Sequence, residues 1–182
     1  MSKIGRKPID ITNVQVEVKG QEVHFKGSKD SGVYVLPDDL GAVIEEEKNL
    51  KLQVKKPSRD ANRLWGLHRA LLSNKIQGAH AEFEKLVEIN GLGYKAAVSG
   101  QKVVFSLGYS HKVDFELPKD VSLSVDKTGQ KLTFKSTNKE LLGQVCGLVR
   151  SLRPPEPYKG TGIKLATEVV KRKAGKTKAA AA

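Results

Sequence analysis

Hydrophobic and polar residues alternate along most of the chain, in two similar blocks. In the first block, apolar residues take every second position in four stretches: Val14/Val16/Val18, Val23/Phe25, Val33/Val35 and Leu50/Leu52/Val54. In the second block, five stretches do the same: Ala96/Val98, Val103/Phe105/Leu107, Val113/Phe115/Leu117, Val121/Leu123/Val125 and Leu132/Phe134. A period of two with one polar face predicts antiparallel strands that are covered on one side only.

Each block ends in one predicted helix. The apolar stripe of the first helix holds Leu64, Leu67, His68, Leu71 and Leu72, and that of the second holds Leu141, Leu142, Val145, Leu148, Val149 and Leu152. The spacing of Thr137–Glu140 fits a capping box and predicts the start of the second helix, which Pro154 ends. One helix on one face of a small sheet, twice over, predicts the α+β class.

The two blocks also repeat each other in sequence. The segment Val18–Phe25 aligns with Val98–Phe105 at an offset of 80 residues, and each contains a Gly-Gln pair that predicts a hairpin turn, at Gly20 and at Gly100. Three further pairs of segments match in the same order at offsets of 80 or 81: Leu36–Asp39 with Leu117–Asp120, Lys51–Val54 with Lys131–Phe134, and Gly66–Arg69 with Gly147–Arg150. A period this long indicates a duplicated domain rather than a repeat array.

We therefore predict a tandem duplication of a small antiparallel or mixed sheet covered by one helix, with a basic C-terminal extension. The expected domains are residues 1–81 and 82–175. Residues 176–182, which end in a run of alanines, are expected to form a disordered tail.

Positive charge is concentrated at the two ends of the chain. The net charge is +12, residues 1–8 carry three cations and no acid, and residues 153–182 carry eight cations against two acids. This distribution is typical of a protein that grips a polyanion with its termini. A solvated basic surface without a partner is the plainer alternative.

Other classes of protein are disfavoured by what the sequence lacks. Cys146 is the single cysteine, which excludes an intramolecular disulfide and fits a reducing cytoplasm. No apolar run approaches the roughly 18 residues of a membrane span, and the N-terminus lacks a signal-peptide core. We expect a soluble intracellular protein without a membrane partner.

No catalytic constellation or metal site emerges. The four histidines, His24, His68, His80 and His111, lack the spacing of zinc ligands and are expected to be structural. Cys146 is expected to be a small buried thiol, and Glu45–Glu47 a charged loop or strand edge. We predict no enzyme activity, no cofactor and no small-molecule substrate.

Two glycine patterns resemble nucleotide-binding motifs. Gly91–Ala96 satisfies the G-x-G-x-x-G/A dinucleotide pattern after a probable strand, but alternating strand sequence follows where that motif requires a helix. A glycine turn between strands is favoured, and an oxidoreductase stays an alternative. Residues 175–177 end like a P-loop, but Val170 occupies the position of its required first glycine.

The segment Arg153–Lys164 holds three prolines, one tyrosine, two glycines, three cations and one carboxylate. Proline excludes a helix interior or a central strand, so a rigid cationic loop is expected, with glycine N–H groups free to approach a ligand. Tyr158 offers a face for stacking on a base or ribose, and Arg153 a bidentate fork for phosphate. Six lysines and arginines can neutralise phosphates: Lys159, Lys164, Lys171, Arg172, Lys173 and Lys176. Recognition of RNA backbone shape is favoured, and a general DNA-binding protein is the alternative.

This same segment resembles a known family. Arg153–Ile163 closely resembles R-x-P-E-P-Y-K-G-K-G-I, the C-terminal signature of the bacterial large-subunit ribosomal protein L-six family. Ser2–Ile9, Gly91–Ala96 and Leu107–His111 resemble the start and the central motifs of that family, so the resemblance runs from Ser2 to about Lys176. The chain departs from the family at Thr161, where lysine is usual, and at Lys112, where proline is frequent.

The resemblance implies two duplicated α+β domains, no catalysis, and a place in the cytoplasmic ribosome. It also implies binding of the C-terminal domain to large-subunit (23S) rRNA near the stalk base, with other ribosomal proteins as neighbours and translation factors nearby. The implied contacts are Arg153, Pro157, Tyr158, Lys159, Gly160, Gly162, Lys164, Lys171, Arg172, Lys173 and Lys176. A possible second group of contacts is Lys3, Arg6 and Lys7.

Overall fold

A computed structural model describes residues 2–45, 48–56, 58, 60–173 and 175. The described residues form strands and two long helices in two compact units. One unit contains the chain up to Phe83 together with Thr137–Lys139, and the other contains Glu84–Ser136 and the residues from Glu140 onward. The predicted α+β class is confirmed. The predicted domain limits, 1–81 and 82–175, stay a prediction, and residues 176–182 lie outside the described part.

The first unit places six strands in two three-stranded sheets. The strands are β1 (Ile9–Asp10), β2 (Gln15–Lys19), β3 (Glu22–Lys26), β4 (Ser31–Val35), β5 (Leu40–Glu45) and β6 (Asn49–Val54). The sheet orders are β1-β6-β5 and β2-β3-β4, with antiparallel pairing throughout. The helix α1 (Ala61–His80) packs on β3 and β6, so one helix closes both sheets over the shared core.

The second unit repeats this plan and adds a strand. The elements are β7 (Phe83–Asn90), β8 (Lys95–Ser99), β9 (Lys102–Ser106), β10 (Val113–Glu116), β11 (Ser122–Val125), β12 (Lys131–Ser136), α2 (Lys139–Leu152) and β13 (Gly162–Leu165). The sheet orders are β10-β9-β8 and β11-β12-β7-β13. The edge strand β13 has no counterpart in the first unit, and it comes from the C-terminal segment that the sequence predicts to be a loop.

The strand register shows the duplication directly. Val18 pairs with Val23 across the β2–β3 hairpin, and Val98 pairs with Val103, 80 residues later, across the β8–β9 hairpin. Gly20 and Gly100 adopt φ angles of 66° and 63° in the two turns, a conformation that favours glycine. Both predicted hairpin turns are confirmed.

The predicted core faces are wrong at some positions. The side chains of Leu67 in α1 and Leu148 in α2 are 52% and 49% exposed. In α1 the buried line runs through Leu72, Ile76 and Ala79. Each residue turns a helix by about 100°, so Leu67 lies about 140° around the axis from Leu72 and roughly opposite Ile76. The prediction from leucine spacing alone therefore placed the buried face of α1 at the wrong angle around the helix axis.

One predicted strand also faces the other way. Val33 and Val35 of β4 are exposed, because they pair with the polar residues His24 and Glu22 on the outer face of the sheet. Tyr34, between them, pairs with the buried Val23 and packs on the core.

The described helices include none with the length and apolar character that a membrane span needs.

Candidate nucleic-acid interface

The chain leaves α2 at Leu152 and makes a closed turn from Glu156 to Thr161. The N–H of Gly160 donates to the Glu156 carbonyl oxygen (2.9 Å), and the N–H of Glu156 donates to the Thr161 carbonyl oxygen (2.9 Å). The Thr161 hydroxyl also donates to Glu156 Oε2 (3.1 Å). The turn is therefore closed by its own hydrogen bonds, and Pro157, Tyr158 and Lys159 are exposed at its tip.

The predicted loop ends earlier than expected, because Gly162–Leu165 forms β13. This strand pairs antiparallel with β7, and Ile163 opposite Ile89 is fully buried. The position is at a sheet edge, and the three prolines all precede it, so the restriction that proline imposes on central strands is not violated.

The two glycines of this segment have a conformational role. Both are buried, with φ angles of 73° at Gly160 and 136° at Gly162. A Cβ on Gly162 would lie 2.6 Å from the Pro154 carbonyl oxygen. Because the N–H of Gly160 is bonded within the turn, the expected presentation of a free glycine N–H to a ligand is wrong at that position.

The chain beyond β13 returns to the same turn. The N–H of Lys173 donates to the Pro157 carbonyl oxygen (2.8 Å), and the guanidinium of Arg172 lies against Gly160, where an added Cβ would come within 3.1 Å of Nη2. The side chains of Lys171, Arg172 and Lys173 are exposed. We define the basic face by the exposed residues that this return brings together: Pro157, Tyr158, Lys159, Lys171, Arg172 and Lys173.

The guanidinium of Arg153, predicted from the sequence to be a bidentate phosphate ligand, is engaged within the protein. Its Nη1 donates to the Leu107 carbonyl oxygen (2.6 Å), and its guanidinium carbon lies 5.1 Å from the ring centroid of Tyr94 and 4.9 Å from that of Tyr109. A cation held against two aromatic faces while bonded to a carbonyl is a structural element. Arg153 therefore stabilises the start of the Arg153–Lys164 segment against Tyr94 and Tyr109.

Lys164 is also engaged inside the protein. Its Nζ lies 3.0 Å from Glu88 Oε2 across the β13–β7 pair, and the two side chains are 25% and 28% exposed. The pairing removes Lys164 from the exposed cations of the segment. Lys176 lies outside the described residues, so the basic face is described without it.

The second predicted group lies in the first unit. Lys3, Arg6 and Lys7 all have exposed side chains. Arg69 fixes the backbone beside them, since its Nε and Nη2 donate to the carbonyl oxygens of Lys7 (3.0 Å) and Pro8 (2.7 Å). The N-terminal cations thus project from an anchored backbone.

The dinucleotide alternative fails on geometry. Gly91–Ala96 makes a turn that leads into the strand β8, not a helix. Gly91 of this turn and Gly108 make room for Tyr94, because a Cβ on Gly91 would lie 2.5 Å from that ring and one on Gly108 would lie 2.7 Å from it. The tyrosine in turn stacks on Arg153. Sequence analysis missed this cluster, although the two Gly-Tyr pairs, 93–94 and 108–109, were a visible signal.

Two further titratable candidates, Cys146 and His68, are structural. Cys146 is buried, and burial raises the pKa of its thiol. Nδ1 of His68 lies 2.8 Å from the Tyr34 hydroxyl oxygen, and burial lowers the pKa of His68. Within the described part of the chain, no three histidine, cysteine or carboxylate side chains are grouped as metal ligands would be.

Comparison with known proteins identifies the class and then the family. The profile of the family described as Ribosomal protein L6 matches residues 90–165, which include the turn and β13. The large ribosomal subunit protein uL6 of Methylacidiphilum infernorum is 42% identical over 97% of this chain and 98% of its own length. Those of Anaeromyxobacter dehalogenans (43%; 99% and 100%) and Gloeothece citriformis (42%; 97% and 98%) are similarly related.

These matches make the chain a ribosomal protein, a class of structural rather than catalytic constituents. Sequence identity of this level, over nearly the full length of each relative, is sufficient to assign the family. The chain belongs to the family of large ribosomal subunit proteins uL6.

Proposed function

We propose that this chain is a non-catalytic constituent of the large subunit of the cytoplasmic ribosome, and that its basic face binds 23S rRNA. The observation that carries the proposal is the 2.8 Å hydrogen bond from the Lys173 N–H to the Pro157 carbonyl oxygen. This bond brings the last basic segment back to the turn and joins two short sequences into one cationic surface. We expect a protein with such a surface to contribute to the assembly and rigidity of the subunit rather than to catalysis.

Charge supplies most of the expected affinity. Lys159, Lys171, Arg172 and Lys173 are exposed. Of the two carboxylates of the segment, Glu168 is paired with Arg150, so the exposed Glu156 stands against four exposed cations. A surface of this kind attracts the phosphate backbone and releases counterions on binding. Tyr158, 55% exposed between these cations, adds a face for stacking on a base or ribose and sets the register.

The finer location is part of the same proposal. Binding near the stalk base would place the protein close to translation factors and to neighbouring large-subunit proteins. Lys176 is a further proposed contact by its place in the sequence, and Lys3, Arg6 and Lys7 are proposed to form another contact from the first unit. The chemistry at each position is neutralisation of a backbone phosphate.

Salt titration of binding to a 23S rRNA fragment tests the proposal. The logarithm of the association constant should fall linearly with the logarithm of salt concentration, at about 0.7–0.9 per neutralised phosphate. Replacing Lys159 and Lys173 together by alanine should make the slope shallower by about 1.4–1.8. Lys119 and Lys127, also exposed in the second unit, give the matched control pair, whose replacement should leave the slope unchanged.

Three results would contradict the proposal: a salt-independent affinity, equal effects of the two lysine pairs, or equal affinity for duplex DNA and folded rRNA at matched salt. Footprinting on the intact particle tests the finer location, because protected nucleotides away from the stalk base would overturn that part alone.

A further inference from the structure

Three aromatic rings and one guanidinium form a continuous stack in the second unit. The guanidinium of Arg153 lies 5.1 Å from the Tyr94 ring centroid and 4.9 Å from the Tyr109 ring centroid. The ring of His111 continues the stack beyond Tyr109, with centroids 5.9 Å apart and an angle of 18° between the planes. These are the distances of favourable cation–π and offset-stacked aromatic contacts.

The stack is held in place from inside the protein. The Tyr109 hydroxyl donates to the carbonyl oxygen of Leu152 at the end of α2 (3.1 Å), and Arg153 Nη1 bonds to the Leu107 carbonyl oxygen. Gly108, at a φ of 75°, lets the chain pass closely over Tyr94. The bend between β9 and β10 is thus tied to α2, and the orientation of its rings is set in advance.

His111 ends the stack at the surface. The residue is exposed, and its imidazole makes no hydrogen bond to any described residue. Lys112, also exposed, follows it, and it forms no ion pair with the described carboxylates. An exposed planar ring with an exposed cation next to it in sequence matches the two parts of a nucleotide, a base and its phosphate.

We propose that the outer face of His111 stacks on an unpaired base of 23S rRNA while Lys112 contacts a neighbouring phosphate. Histidine is among the side chains on which splayed RNA bases stack, and a ring that is already ordered loses little conformational freedom on binding. The inference rests on the proposed function, since the same rRNA binds the basic face. It adds a further rRNA contact, in a segment that its lysine content alone would not identify as an RNA-binding site.

Four variants at His111 separate stacking from charge, measured by binding to the 23S rRNA fragment at fixed salt. His111→Ala should weaken binding by about 5- to 150-fold, the range for loss of one base stack. His111→Phe, which keeps a flat ring, should stay near the wild type, and His111→Lys, which keeps only a cation, should resemble the alanine variant. His80→Ala, at an exposed histidine of the first unit, is the matched control and should have no effect.

The fourth variant, His111→Trp, reports the stack directly. Its tryptophan emission should be quenched as the 23S rRNA fragment is added, after subtraction of the Trp65 signal measured on the wild type. Lys112→Ala, which removes the cation, should lower the salt slope by about 0.7–0.9. The melting temperature of each variant should stay well above the assay temperature, so that a loss of binding is not a loss of folding.

The outcomes distinguish this inference from the proposed function. Full affinity in His111→Ala, or retention by His111→Lys with loss in His111→Phe, overturns the stacking contact while salt-dependent binding through Lys159 and Lys173 stands. Unquenched emission in His111→Trp has the same meaning. If the wild type itself binds rRNA without salt dependence, the proposed function falls, and the His111 contact falls with it.

Discussion

Glu168 forms a two-point ion pair with Arg150. Its Oε2 and Oε1 lie 2.7 Å from Nε and 2.5 Å from Nη2 of the guanidinium. Glu168 is bonded to the end of β13 as well, through its N–H to the Leu165 carbonyl oxygen (2.9 Å). An acidic residue thus ties the helix α2 to the segment that leads into Lys171–Lys173.

Glu168→Gln is expected to weaken binding of 23S rRNA. Simple electrostatics predicts the opposite, because the change removes a negative charge from a protein that binds phosphates. The tether predicts a loss, because a segment no longer fixed to Arg150 must be ordered when RNA binds. Loss of one charged hydrogen-bond pair, about 1 kcal/mol, corresponds to about a fivefold weaker affinity at fixed salt.

The control is Glu116→Gln, which removes the same charge from the exposed pair with Lys102 in the second unit. That variant should bind rRNA as well as the wild type or slightly better. Tighter binding by both variants would show that charge, and not the tether, governs this segment.

The same ion pair predicts a pH dependence of stability. Hydrogen bonds from Arg150 lower the pKa of the Glu168 carboxyl below its ordinary value of 4.5, against the opposing effect of burial. A carboxyl with a lowered folded-state pKa stabilises the fold above its unfolded-state pKa, and that stabilisation disappears as pH falls through the folded-state pKa. Urea unfolding of the wild type and Glu168→Gln should therefore differ by about 0.5–1 kcal/mol near neutral pH. The difference should shrink as the pH falls below 4.5 and disappear once it has passed the lowered pKa of the carboxyl. A difference that persists unchanged in acid would exclude the ion pair as its source.

Arg153 and Lys159 should separate stability from binding, although both are cations of one short segment. Arg153→Lys keeps the charge but loses the planar stack on Tyr94 and Tyr109, so the free energy of unfolding should drop by about 2 kcal/mol. Lys159→Ala should change stability by less than about 0.5 kcal/mol, because the side chain is exposed, and should weaken rRNA binding instead.

Thermal unfolding and rRNA titration of the two proteins provide the measurement, and each variant is the control for the other. Equal melting temperatures would mean that the guanidinium stack contributes nothing to the fold. Equal loss of rRNA affinity at a salt concentration where both proteins are folded would show that Arg153 contacts a phosphate as well.

Local sequence patterns predicted the hairpins and the duplication, because those depend on neighbouring residues. The β2–β3 and β8–β9 turns follow from Gly20 and Gly100 and from strict alternation on either side. The division of each unit into two sheets was not predicted. It depends on pairings between distant strands, such as β1 with β6 and β7 with β13, for which a single sequence gives no periodic signal.

Charge identified the segment that carries the candidate interface but not which of its cations are exposed. Arg153 and Lys164 look like Lys159 in the sequence, yet they are occupied by Leu107 and Glu88, 46 and 76 positions away. Such partners become visible only once β7, β9 and β13 are assembled. Contact with rRNA by the remaining residues of the basic face stays a prediction.

Gly162 should tolerate substitution far less than two other glycines of the second unit. Gly162→Ala places a Cβ 2.6 Å from the Pro154 carbonyl oxygen at a φ of 136°, so strain and overlap together should cost about 2–4 kcal/mol of unfolding free energy. Gly100→Ala meets no atom within 4 Å at a φ of 63° and should cost about 1 kcal/mol. Gly147→Ala, with open space in the middle of α2, should gain about 0.5–1 kcal/mol. Urea unfolding of the three variants checks the order, and a Gly162→Ala protein as stable as Gly100→Ala would show that the close passage of β13 over Pro154 does not constrain the turn.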